Sequence, residues 1–175
     1  LLAPKQPAIA LTGAGMVALL PMHVAICSAV NNDSLANLLF ALVLMEFALL
    51  YTQTKPSRWV ALRMGLWAGL AGLTKVTALL LIPTMVVGWL IVPRTRGTRV
   101  WLGMLVSVGL ALAMMCPWFV RNMQLYDDPL LLRAFERTFA GTARAEQFLQ
   151  AGVSMSEYLQ QVANWTYRSF WFAYG

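Results

Sequence analysis

Unbroken apolar runs set the limits on this chain. Ala8–Val30, Leu35–Tyr51 and Val100–Val120 are each apolar over close to a membrane's thickness. A helix crosses hydrocarbon in about 20 residues, within about 17–25. Apolar residues are 59% of the chain and charged residues 11%, against about a quarter charged in soluble domains. The expected fold is all-α, a polytopic transmembrane bundle. A formal charge of +6 does not point to nucleic acid, because the basic residues fall in short clusters between apolar runs.

A fourth run, Trp59–Val92, is 34 residues by count, too long for one crossing. Between Arg63 and Arg94 its only charge is Lys75. The flanking stretches "TKPSR" (54–58) and "PRTRGTR" (93–99) are both basic, which places both in the cytoplasm. The run therefore crosses twice or not at all. It divides into arms over 59–74 and 76–92 that turn near Lys75 at the outer face. Both arms are short for a span, and a shallow re-entrant hairpin is the alternative. Spans over 8–30, 35–51, 59–74, 76–92 and 100–120 then make residues 1–121 the bundle. Residues 122–175 become an extracytoplasmic segment, slightly acidic where the inner loops are basic.

Packing signals fit a bundle. Gly65 and Gly69 form GxxxG, extended by Gly72, and small residues let helices approach closely in lipid. Pro21, Pro83 and Pro117 should kink helices or sit at their ends. Cys27 and Cys116 read as small buried hydrophobes. In the tail, Leu131, Phe135 and Phe139 recur every four residues. Ser154 and Glu157 have capping-box spacing. Trp165, Phe170, Trp171, Phe172 and Tyr174 crowd together like residues of a membrane interface, and lead toward a further span. Beginning at Leu1 and stopping at Gly175 after that run, the chain is expected to be a piece of a longer polypeptide.

Few residues can carry chemistry. Lys75 is either a turn residue that snorkels to headgroups or a cation held for an anionic ligand. Arg121, in "CPWFVRN", ends the fifth span on the outer side at a depth similar to Lys75. Two such cations suit a lipid phosphate, Arg as a fork and Lys as a point charge. "NNDS" (31–34) is a tight outer loop, with Ser34 a candidate cap and Asp33 a candidate base, metal ligand or sugar-binding group. His23 and Glu46 are polar groups within spans, suited to a proton path or to bonding between helices. Asn32-Asp33-Ser34 and Asn164-Trp165-Thr166 match the glycosylation sequon. There is no nucleophile elbow, P-loop, zinc-ligand spacing or CxxC.

Three stretches in order, "PMHVAICSAVNNDSLANLLFAL", "GLWAGLAGLTKVTALLLIP" and "PWFVRNMQLYDDPL", resemble the polytopic GT-C glycosyltransferases. The nearest group is the bacterial proteins related to dolichyl-phosphate-mannose–protein mannosyltransferases and aminoarabinose transferases. "SFWFAYG" is similar to a run before a later span in some of them. The resemblance covers most of residues 15–130. It implies transfer of a sugar from a polyprenyl-phosphate carrier to lipid, glycan or protein outside a bacterial plasma membrane. It also implies Lys75 and Arg121 near the carrier phosphate, Asn32 and Asp33 in an outer turn near the site, and Tyr126 and Asp128 in a second. Asp127 stands where the family usually has Gly. The family's catalytic acid lies in a first outer loop, which this chain is expected to lack, so the fragment alone should be inactive. Beyond the polyprenyl-phosphate sugar no cofactor is required, though a divalent metal is compatible. The competing readings are a transporter or flippase with Lys75, Arg121, His23 and Glu46 along a path, and a non-catalytic lipid-binding subunit.

Overall fold

The structure, a computed structural model, describes residues 6–29, 31–52, 59–91, 98–142 and 145–171. Among them the regular elements are all helical: α1 Pro7–Ala18, α2 Pro21–Ser28, α3 Asp33–Thr52, α4 Val60–Thr74, a 3-10 turn Val76–Leu80, α5 Leu81–Ile91, α6 Thr98–Tyr126, α7 Leu132–Thr138, α8 Ala145–Gln150 and α9 Met155–Phe170. They form two compact units, one of α3 to α6 and one of α1, α2 and α7 to α9.

In the first unit, α3 buries Ala36, Leu39, Val43, Glu46 and Leu50, spaced alternately three and four residues apart. That spacing makes one stripe on a 3.6-residue helix. The stripe faces α4, and α4 in turn packs on α6. The glycines explain the second contact. A Cβ on Gly65 would stand 2.7 Å from the Ser107 carbonyl oxygen, and one on Gly69 2.7 Å from Met114 Sδ. One on Gly72 would collide with Met115. The partners advance with the glycines, so α4 and α6 run parallel. On α5, Trp89 lies over Gly103 and donates from Nε1 to Ser107 Oγ at 3.0 Å, which donates to the Gly103 carbonyl at 2.9 Å. Together these form one apolar core with the α3 stripe.

The outward faces are as apolar as the inward ones. Leu38, Leu44, Leu102 and Leu105 are each more than half exposed, which suits lipid rather than water. Among the described residues, α3 and the Val100–Tyr126 part of α6 are long and apolar enough to cross a membrane. The stretch expected as one span over 8–30 is two helices, α1 and α2, that meet at 62°. Pro21 at the start of α2 cannot donate to a preceding turn, which accounts for the break. Counted as one, the pair adds a third span. α4 has 15 residues and rises about 22 Å at 1.5 Å per residue, short of an about 30 Å core. The basic stretches 54–58 and 93–97 lie outside the described residues.

Two local expectations turn out differently. Cys27 and Cys116 are exposed, on outward helix faces. Pro83 sits at the start of α5, as expected, and Pro117 falls inside α6. Ser34 lies within α3 and does not cap it; Asn31 Oδ1 accepts from the Asp33 amide at 2.9 Å instead, an Asx turn.

The second unit's helices carry explicit end signals. Ser154 and Glu157 make the expected capping box. α8 ends in a Schellman turn at Gly152, φ +87°, with the Val153 amide on the Phe148 carbonyl at 3.1 Å and the Gly152 amide on Leu149 at 3.1 Å. Only glycine adopts that φ without strain. Phe135 in α7 and Phe139 just beyond it stack at 4.5 Å, while Leu131 precedes α7 at φ +57°.

Candidate functional site

The break between the two arms of the hairpin builds the site. Thr74 ends α4 with its hydroxyl donating to the Leu70 carbonyl at 2.8 Å. Lys75 then turns extended, φ −152° and ψ 130°. Its amide still donates to the Ala71 carbonyl at 2.9 Å, and its own carbonyl accepts from the Ala78 amide at 2.9 Å to start the 3-10 turn. A helix end leaves carbonyls without intrahelical partners. Asn32 takes one of them, donating from Nδ2 to the Thr74 carbonyl at 2.7 Å.

Asp33, in the first turn of α3, receives a hydrogen bond and ion pair from Lys75 Nζ. A carboxylate there also complements the positive helix end. The two side chains are 30% and 36% exposed, so the pair is open to a ligand. A lysine ammonium has three N–H donors; Asp33 orients it and leaves donors to spare. Asn32 and Asp33, adjacent in sequence, thus hold adjacent residues of the break. The Asn32 amide is engaged on Thr74 and is not a free sequon side chain; Asn164 is exposed on α9.

Arg121 lies at the same end of the bundle. Gly72 packs against Met115 on the parallel α6. At 1.5 Å per residue, Lys75 is about 4.5 Å beyond Gly72 and Arg121 about 9 Å beyond Met115. Arg121 is exposed and makes no ion pair among the described residues. Tyr126 ends α6, 54% exposed. The turn after it folds back: Asn122, buried, donates from Nδ2 to the Pro129 carbonyl at 3.3 Å, and Asp128 is buried beside it in sequence. Asp127 has φ +51°, with its amide on the Met123 carbonyl at 3.0 Å. This left-handed helix cap favours glycine, and aspartate is among the few other residues that tolerate it. The departure from the resembled pattern thus keeps the turn. Lys75, Asp33 and Asn32 are in contact with one another or with the same backbone turn. Arg121, Tyr126 and Asp128 lie at that end of the unit, on the last turns of α6 and the turn after it.

A second ion pair was not expected. Arg63 donates from Nε to Glu46 Oε1 at 2.6 Å and from Nη2 to Oε2 at 2.8 Å. Glu46 is 2% exposed. The sequence marked Glu46 as an acid within a span but treated Arg63 only as a boundary. A buried carboxylate needs a cation, and Arg63, near the start of the next helix, was the nearest in depth. His23 lies beside Cys27 of its own helix, Nε2 to Sγ 3.6 Å.

Apolar outward faces, two or three spans and a polar hairpin break at one end define the class: an integral membrane helical protein. The family model for dolichyl-phosphate-mannose-protein mannosyltransferase matches residues 5–120, and the chain belongs to that family. Membership implies a general membrane glycosyltransferase function. Asn32, Asp33 and Lys75 lie inside the matched stretch, whereas Arg121, Tyr126 and Asp128 lie just past it. No curated protein and no solved structure matches the chain.

Proposed function

We propose that the chain is part of a transferase that moves a sugar from a polyprenyl-phosphate carrier to an acceptor on the extracytoplasmic side of a bacterial plasma membrane. The observation that carries this reading is Lys75, held at a helix break by Asn32 and Asp33 with its ammonium open to a ligand. Arg121 adds a second cation at that end. The carrier phosphate becomes the leaving group, and cations lower the cost of the charge it gains. The acceptor hydroxyl needs a base, expected from the acidic first outer loop of the family. The basic stretches on both sides of the hairpin support an outer position for Lys75.

An apolar cavity of about 750 Å³ between α3 and α5 supports a lipid-linked donor. Leu44, Phe47, Tyr51, Leu80, Val87 and Ile91 help line it. Leu80 closes the 3-10 turn that begins after Lys75, so a prenyl chain in the cavity would leave its phosphate toward Lys75. The Glu46–Arg63 pair speaks against a transport path, since the buried Glu46 accepts from Arg63 at both carboxylate oxygens.

Lys75→Ala in the full-length protein tests the reading. A hydrogen bond to a charged group contributes about 1.5–3 kcal/mol, so KM for the donor lipid should rise about 10- to 100-fold with insertion intact. Lys75→Arg should recover part of it. Unchanged transfer by Lys75→Ala would reduce the lysine to a snorkelling turn residue.

A further inference from the structure

Helix α9 has two unlike faces. Met155, Tyr158, Leu159, Val162, Trp165 and Phe170 fall along one side of a 3.6-residue helix. Glu157, Gln160, Gln161, Asn164 and Arg168 line the other. The apolar face is largely uncovered within the protein: Met155, Leu159, Val162, Trp165 and Phe170 are 43–57% exposed. Of that face, Tyr158 is the best covered, against Phe148 of α8 with ring centroids 5.8 Å apart. At the C-terminal end, Trp171 stacks edge-on against both Tyr167 and Phe170.

We infer that α9 lies in the plane of the membrane interface, its apolar face seated at the boundary of headgroups and acyl chains. Two observations choose lipid over a protein partner. The helix is amphipathic with aromatic residues toward one end, the composition that settles at headgroup level. It contacts α2 within the same unit, and α2 belongs to the bent apolar pair that counts as a candidate span. That contact carries α9 to a surface already apolar. Its charges, Glu157 and Arg168, sum to zero, so apolar area rather than attraction to anionic lipid drives the docking. A capping box at Ser154 and a glycine turn at 152 set the start of the helix, which fixes which residues face the lipid.

Spin labels on the full-length protein in phosphatidylcholine vesicles test this, with Cys27 and Cys116 replaced by Ala. Labels at Leu159→Cys and Val162→Cys should collide several-fold more with dissolved oxygen than with a water-soluble nickel chelate. Labels at Gln160→Cys and Asn164→Cys should show the reverse, and adding anionic lipid should leave the pattern unchanged. Equal access of the nickel chelate to all four labels would overturn the inference in favour of a solvated helix. Shielding of Leu159 and Val162 from both reagents would overturn it in favour of a protein partner or a second copy.

Discussion

Helices α3 and α4 are tied together twice by opposite charges, and the two ties are built differently. Glu46 and Arg63 meet through two parallel hydrogen bonds, with the carboxylate 2% and the arginine side chain 37% exposed. Asp33 and Lys75 meet through one, with both side chains about a third exposed. Removing the partner of a buried carboxylate costs about 1.5–3 kcal/mol, and the partly exposed guanidinium keeps the cost below that of a fully buried pair. An exposed pair contributes about 0.2–1 kcal/mol. The inner pair therefore fixes the register of the two helices. The pair at the hairpin break adds little stability and leaves the Lys75 ammonium with N–H donors beyond the one that Asp33 takes.

The sharpest way to break this contrast is at the buried end. Arg63→Ala should lower the unfolding free energy of the detergent-solubilised protein by about 1.5–3 kcal/mol, the cost of stripping a buried carboxylate of its charged hydrogen bonds, whereas Lys75→Ala should lower it by less than about 1 kcal/mol. Chemical unfolding followed by circular dichroism would compare them, and equal losses would remove the distinction.

Packing of α4 on α6 sets the depth at which Lys75 and Arg121 are presented. Gly65→Leu drives a side chain at the Ser107 carbonyl, a backbone atom that cannot step aside. It should cost about 1–3 kcal/mol through overpacking and reduce activity by displacing the site. Full retention of both in the same unfolding and transfer assays would mean that α4 and α6 are not locked there.

A smaller effect is expected at the turn beyond α6. Asp127→Gly removes the cost of a left-handed residue, about 1–2 kcal/mol, and adds glycine's entropy penalty of about 0.5–1 kcal/mol. The net change should be a gain of up to about 1.5 kcal/mol, read as a higher midpoint of thermal unfolding. A lower midpoint would mean that the Asp127 side chain holds the turn.

The smallest effect concerns pH at the start of α9. Hydrogen bonds from the Ser154 backbone and side chain hold the Glu157 carboxyl below the usual carboxylate range. Its folded pKa is depressed, so the cap is fully formed above the unfolded pKa and is lost as pH falls through the folded one. Amide exchange at Ser154 and Glu157 should accelerate in that acidic window and nowhere near neutrality.

Much of this architecture was legible in the sequence. The apolar run of α3 and the helix break at Lys75 both followed from lengths and charges. The glycines of α4 marked a packing face, and Ser154 with Glu157 marked a helix start. What escaped was decided by geometry between elements. Pro21 was visible, but the 62° bend it makes with α1 depends on the residues before it. Arg63 looked like a flank because its partner lies 17 residues earlier. In the sequence Asp33 is a candidate base, metal ligand or sugar-binding group, and its role as the orienting partner of Lys75 needs the hairpin's tip beside the start of α3. Asp127 looked like a departure until its backbone angle showed a cap that aspartate can adopt.

The central claim is that Lys75 is a cation kept open for a phosphate. Binding of polyprenyl phosphate and of the matching uncharged polyprenol to the full-length protein, compared by native mass spectrometry, addresses it most directly. The wild type should prefer the phosphate by at least about tenfold, as one charged hydrogen bond allows. Lys75→Ala should lose most of that preference while still holding the polyprenol. An undiminished preference in Lys75→Ala would contradict the account.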